Sequence, residues 1–189
     1  RGIFVISDIK IEENKLNLIS DSHTRTIEVK DNNLSFYDEN GQVIQAIEKD
    51  GSIHLNAEFF DMISVSVNSY KQIVVDAGYT DGFIFYISDG RFYGVGQDGS
   101  MIDNVSITNR KGQQFYSLFT GRGYMWVNTI PLLKNTFICG HGAGTFSFYF
   151  PQNDYVGLAN THGSSRFVID KPHNMYLQTA VEEGCIALA

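Results

Sequence analysis

Arg122 and His173 are the two side chains whose types and surroundings suit chemistry at a phosphate. The stretch from Pro172 to Ala189 reads as an amphipathic helix, with His173, Tyr176, Leu177, Ala180, Val181, Gly184 and Leu188 on one face. Asp170 is expected to cap it and Pro172 to occupy its first turn, where a missing N–H has no helical partner to lose. His173 would then lie near a helix N-terminus, where partial positive charge favours a neutral, base-competent imidazole and attracts an anion. Upstream, Ser117 to Trp126 leads into a helix ending near Lys134, with Thr120 as its cap and Pro131 shortening or kinking it. Arg122 falls in that first turn, where the helix dipole opposes a cation unless an anion or carboxylate is close. If the two helices converge, Arg122 and free amides would hold a phosphate while His173 moves a proton. Taken singly, Arg122 suits a surface salt bridge and His173 a cap or core position, and residue chemistry alone ranks those ordinary readings first.

The elements that must position these residues divide the chain in two. With 189 residues, 43% of them hydrophobic, there is enough apolar material for one substantial domain or two small ones. Residues 1–109 read as an antiparallel β domain, a sandwich or partly closed barrel, and residues 110–189 as a small, mainly helical, loop-rich segment, so the fold class is α+β. Short β-branched and aromatic runs from Ile3–Ile11 to Met101–Ile107 supply the strands. Asp31-Asn32-Asn33, Glu39-Asn40-Gly41, Lys49-Asp50-Gly51, Ser88-Asp89-Gly90 and Gln97-Asp98-Gly99 supply hairpin turns. The turns recur at irregular spacing, against a propeller or solenoid, and none completes a calcium loop.

Several function classes are disfavoured. The net charge of −7 and the dispersed Lys and Arg residues leave no basic patch for nucleic acid. Gly140-His141-Gly142-Ala143-Gly144-Thr145-Phe146 lacks the Lys-Ser/Thr ending of a phosphate-binding loop and reads as a tight turn. Cys139 and Cys185 have no zinc-like spacing and are read as free thiols in preference to a disulfide. A metal site from His141, His162 and His173 with Asp154 and Asp170 ranks low, because no pair has the i, i+4 spacing of a helical zinc motif. Asp154 to Arg166 reads as a long loop, and Tyr149, Phe150, Tyr155 and Phe167 as core aromatics before a sugar-stacking surface. No apolar run is long enough to span a membrane, yet the chain ends on an uncharged apolar stretch, Gly184 to Ala189. A soluble piece between membrane helices is therefore expected, the alternative being a terminal helix packed on its own core.

Four blocks, in this order, carry a family resemblance: Gly121-Arg122-Gly123-Tyr124-Met125-Trp126, Ile130-Pro131-Leu132-Leu133, Gly140 to Phe146, and Pro172-His173-Asn174-Met175-Tyr176-Leu177-Gln178 with Glu183-Gly184. Together they resemble the large external loop of the O-antigen ligase and polymerase superfamily of polytopic membrane glycosyltransferases, over roughly residues 115–189. The resemblance implies transfer of a glycan from a polyprenyl-diphosphate carrier to a glycan or lipid acceptor, at the extracytoplasmic face of the cell membrane, with no cofactor or metal. It implies catalytic roles for Arg122, at the diphosphate, and for His173, in activating the acceptor or recognising the diphosphate. Asn174, Arg166 and Tyr176 are the substrate-binding candidates. Membrane helices that bind the polyprenyl chain are not in this sequence, so the segment alone is expected to be inactive. The β half carries no motif of that family and resembles an insertion in the loop. The competing expectation is a non-enzymatic glycan-binding or envelope-interaction module, motivated by the β-rich half and its aromatic residues.

Overall fold

The computed structural model describes residues 5–21, 23–31, 33–55, 63–106 and 112–188. It forms two units, one of Arg1–Ser106 with Asn153–Arg166 and one of Ile107–Gln152 with Phe167–Ala189. The α+β architecture expected from the sequence is present, with open antiparallel sheets followed by short helices.

In the first unit the strands are β1 (Asp8–Glu12), β2 (Lys15–Ile19), β3 (Thr24–Lys30), β4 (Asn33–Tyr37), β5 (Ala46–Lys49), β6 (Ser52–Leu55), β7 (Ser64–Val67), β8 (Ile73–Asp76), β9 (Phe83–Ser88), β10 (Arg91–Val95) and β11 (Met101–Ile102). They build a four-stranded sheet ordered β1-β2-β3-β4 and a seven-stranded sheet ordered β11-β10-β9-β8-β7-β6-β5, so within each sheet strands pair in sequence order and the chain changes sheet between β4 and β5. The turns explain that simplicity. Asp50 and Gly51 have φ of 53° and 75°, Asp89 and Gly90 of 51° and 73°, and positive φ at both central residues is what the primed hairpin turns require. The expected strand ends at Ile3 and Ile107, and the turn residue Asn32, lie outside the described residues.

Alternating burial along the strands sends Leu16, Leu18, Ile27 and Val29 of one sheet and Val65, Val75, Phe83 and Phe85 of the other into one core. Each such side chain contributes roughly 1.5–3 kcal/mol on burial. The Phe92 amide donates to the Glu13 carbonyl at 2.9 Å, joining the first hairpin to the larger sheet.

The helices, in chain order, are α1 (Arg122–Thr129), α2 (Phe146–Tyr149), α3 (Tyr155–His162) and α4 (Met175–Glu182). α3 replaces the loop expected at 154–166. Asp154 caps it by accepting from the Gly157 amide at 3.2 Å, Gly163 ends it at φ 81°, and Tyr155, Val156 and Ala159 enter the β core between those signals. The Tyr155 hydroxyl accepts from the Val95 amide and donates to the Val95 carbonyl, both at 2.7 Å, and burial pushes its pKa up to about 12.

In the second unit α1 and α4 pack together over Tyr124, Phe146, Phe150, Ala180 and Val181. Tyr124 is fully buried, its ring edge-on to Tyr116 at 4.8 Å and to Phe150 at 6.2 Å. α1 stops at Thr129, and residues Ile130–Lys134 continue as a 3-10 turn, consistent with Pro131 removing an amide. The long helix expected from Pro172 to Ala189, the last of which lies outside the described residues, is shorter. α4 spans Met175–Glu182, Gly184 breaks it at φ 107°, and Cys185–Leu188 forms a separate 3-10 turn. A Cβ on Gly184 would lie 2.6 Å from the Ile138 carbonyl oxygen, so glycine is there for a close backbone approach. No helix among the described residues is long and apolar enough to cross a membrane.

Candidate functional site

Three consecutive left-handed residues, Phe119, Thr120 and Gly121 with φ of 53°, 58° and 87°, fold the chain back on itself before α1. For Phe119 and Thr120 that conformation costs about 1–2 kcal/mol each. It also changes what the helix start can do. The amides of Arg122, Gly123 and Tyr124 donate to the carbonyls of Phe119 at 3.4 Å, Leu118 at 3.0 Å and Tyr116 at 3.2 Å. The expected Thr120 cap is not made: its hydroxyl donates to the Phe119 carbonyl at 2.6 Å, and Gly121 holds the cap position without a side-chain bond. The first turn of α1 therefore offers an anion no free amide at Arg122, Gly123 or Tyr124. What it offers is Arg122, which is exposed and engages no hydrogen-bond or ion-pair partner among the described residues.

The start of α4 is arranged differently. Asn174, not Asp170, is the cap: it is extended at φ −148°, and its Oδ1 accepts from the Leu177 amide at 3.2 Å. An Asn reaches the third amide of a helix directly, so the helix starts after it and Pro172 and His173 stay outside. His173 is exposed, with a left-handed backbone at φ 49°. The amides of Met175 and Tyr176 have no partner among the described residues, and they are the exposed donors next to His173. Amides suited to an anion thus lie at α4, and the unpaired cation at α1.

One bond connects these two places. The Trp126 indole N–H donates to the Pro172 carbonyl at 2.9 Å. Arg122 is one turn before Trp126 on the same face of α1, so that face meets the chain immediately before His173. Phe119 packs on Trp126 with ring centroids 5.1 Å apart. Asn174 and Tyr176 belong to the same unit, Tyr176 being 68% exposed. Arg166 does not. It follows α3 in the β unit, exposed, with its amide held by the Ser164 hydroxyl at 3.1 Å.

The far end of α4 carries a residue that sequence reasoning passed over. Glu182 is buried at 8% exposure, and its carboxylate accepts from the Phe146 amide and from Gln178 Nε2, both at 3.4 Å. Its carbonyl accepts from the Gly142 amide at 2.7 Å, and that of Val181 from the His141 amide at 3.0 Å. Gly140 lies flat on Glu182, and a Cβ there would overlap the Glu182 carbonyl. The glycine loop is the C-terminal cap of α4. The readable signal was the Gln178–Glu182 pair at i, i+4. His141 of this loop stacks on Tyr149 with ring centroids 3.5 Å apart and planes 7° apart. Among the described residues no three His, Cys, Asp or Glu side chains are placed to hold a metal.

A family model described as O-Antigen ligase matches residues 68–189. The chain belongs to the O-antigen ligase family. The match reaches upstream of the motif-bearing stretch from 115 to take in β8 to β11 as well as α1 to α4. Meander strands bury a generic alternation of apolar residues and leave no motif to read, whereas the four blocks of this chain stand out by their Arg, His and Gly residues. No curated protein and no solved structure matches the chain. Membership makes it a relative of membrane glycosyltransferases of the O-antigen ligase and polymerase kind, in surface polysaccharide synthesis.

Proposed function

We propose that this chain is the extracytoplasmic part of a membrane glycosyltransferase that moves a glycan from a polyprenyl-diphosphate carrier to a glycan or lipid acceptor, with Arg122 and His173 at the reacting diphosphate. In the step envisaged, an acceptor hydroxyl attacks the anomeric carbon, the bond from that carbon to the phosphate oxygen breaks, and the diphosphate leaves with the bonding pair. His173 takes the hydroxyl proton. Arg122, with the amides of Met175 and Tyr176, meets the charge that develops on the leaving oxygens. Asn174 has its Oδ1 engaged as a cap, so its amide nitrogen is the part left to donate to the glycan. Tyr176, exposed in the first turn of α4, completes the binding surface.

The observation that carries this proposal is the Trp126–Pro172 bond, which ties the Arg122 face of α1 to the residue before His173. It is supported by the exposure of both side chains and by the absence of any partner for Arg122 among the described residues. Metal independence and inactivity of the segment by itself are parts of the same proposal. Its test is deletion of the parent gene, complementation with Arg122→Ala or His173→Ala, and measurement of surface polysaccharide. Loss of polymer transfer in both is expected, and wild-type polymer in both would overturn the assignment of roles.

A further inference from the structure

The loop that caps α4 has features that capping does not require. From residue 135 to 153 there is no Asp, Glu, Lys or Arg, so this surface suits an uncharged ligand and not a diphosphate. Within it the His141 and Tyr149 rings are stacked at 3.5 Å, and Tyr149 remains 45% exposed. Phe148, next to it on α2, is 83% exposed. Gly142, Ala143 and Gly144 are exposed, and the amides of Ala143 and Gly144 have no partner among the described residues. The backbone beneath is fixed, since the amides of His141 and Gly142 are bound to the last carbonyls of α4.

We propose that His141, Tyr149 and the Gly142–Gly144 backbone form a pyranose-binding subsite for the glycan portion of the substrate, distinct from the Arg122–His173 pair. A pyranose has a face of C–H bonds and an edge of hydroxyls. The stacked rings offer an aromatic face for the first, and free amides, the imidazole and the tyrosine hydroxyl offer donors and acceptors for the second. A hydrocarbon chain would use the rings and leave the amides unpaired, which argues for sugar over lipid. The anchoring by Glu182 gives the loop the rigidity that weak contacts need, because a preformed site loses little entropy on binding. The subsite deepens the transferase proposal above and rests on it for the identity of the ligand.

The experiment is saturation-transfer NMR on the full chain with methyl β-glucopyranoside, methyl β-galactopyranoside and methyl N-acetyl-β-glucosaminide. At least one should receive saturation from the aromatic protons, with a dissociation constant of about 1–10 mM for a single ring. His141→Ala and Tyr149→Ala should each weaken it about fivefold or more, Tyr149→Phe, which keeps the ring and loses one hydroxyl, should weaken it less than Tyr149→Ala, and Tyr70→Ala, an exposed tyrosine of the β unit, should leave it unchanged. The two alanine variants guard against a folding artefact in either one. The subsite is overturned if no pyranoside gives transfer, if both alanine variants bind like the parent chain, or if octanoate displaces the sugar from the same protons. Absent sugar binding alongside lost polymer transfer in the Arg122 and His173 variants removes the subsite and leaves the transferase. Intact sugar binding alongside intact transfer in those variants does the reverse.

Discussion

The Trp126 indole N–H and the Pro172 carbonyl, 2.9 Å apart, hold the face of α1 that carries Arg122 against the chain that presents His173. Neither residue is a reacting group in the proposed step; the bond joins the helix that carries Arg122 to the residue before His173. Trp126→Phe keeps an aromatic ring beside Phe119 and removes the donor. It should cost about 1 kcal/mol of stability and slow polymer transfer by about tenfold, measured by thermal unfolding of the chain and by transfer in the parent protein.

Gly140 and Gly144 lie in one loop and should respond differently to alanine. A Cβ on Gly140 would overlap the Glu182 carbonyl, whereas Gly144 has φ 76° and nothing within 4 Å of a Cβ. Gly140→Ala is expected to destabilise the helical unit by about 2–3 kcal/mol through a backbone that must move. Gly144→Ala should cost about 1 kcal/mol, from the left-handed conformation alone. Chemical denaturation of the two variants side by side checks the order.

Tyr155→Phe removes a hydroxyl that bonds both backbone groups of Val95 inside the β unit. Its loss leaves a buried amide and carbonyl unpaired, and about 1–3 kcal/mol of stability should go with it, read from the denaturation midpoint.

Burial lowers the His162 pKa below its ordinary value of 6.5. The folded state therefore resists protonation more than the unfolded state, which binds more protons as pH falls below 6.5. The His162 contribution is fully present above that pH and is lost as pH falls through the folded-state value. Denaturation midpoints from neutral to mildly acidic pH should fall on acidification, and His162→Asn should flatten that part of the profile.

How much of this was legible in the residues follows from where each signal is local. The hairpins of the β unit were readable because Asp-Gly pairs at positive φ specify a turn within four residues. α3 was missed because Asn, Gly and Ser dominate its surroundings and its decisive support, the packing of Tyr155, Val156 and Ala159 into a core built from residues far upstream, is not local. α4 was expected too long and its start placed too early, because Pro172 and Asp170 are generic start signals that a better placed cap, Asn174, overrides. Arg122 and His173 were singled out by type and neighbours, but the amides expected at Arg122 are consumed by the carbonyls of Tyr116, Leu118 and Phe119. That three-residue left-handed reversal has a glycine only at its last position, so nothing in composition announces it. Glu182 was passed over because an acidic residue on a helix flank ordinarily faces water.

The side of the membrane is open to a direct check through Cys139, which is exposed. A membrane-impermeant maleimide added to intact cells, with any outer membrane permeabilised, should label the parent protein, and Cys139→Ser should remove most of that label. Labelling only after the cytoplasmic membrane is breached would place this segment on the cytoplasmic side.

The central claim is that Arg122 and His173 act on one transfer event, and a double-mutant cycle measures it most directly. The rate of glycan transfer from a polyprenyl-diphosphate donor would be compared for the parent protein, Arg122→Ala, His173→Ala and the double variant. Each single variant is expected to lose about a hundredfold or more, with the double variant little slower than the worse single one, because groups that serve one transition state are not additive. Single variants with the parent's rate, or losses that simply multiply in the double variant, would contradict a shared site.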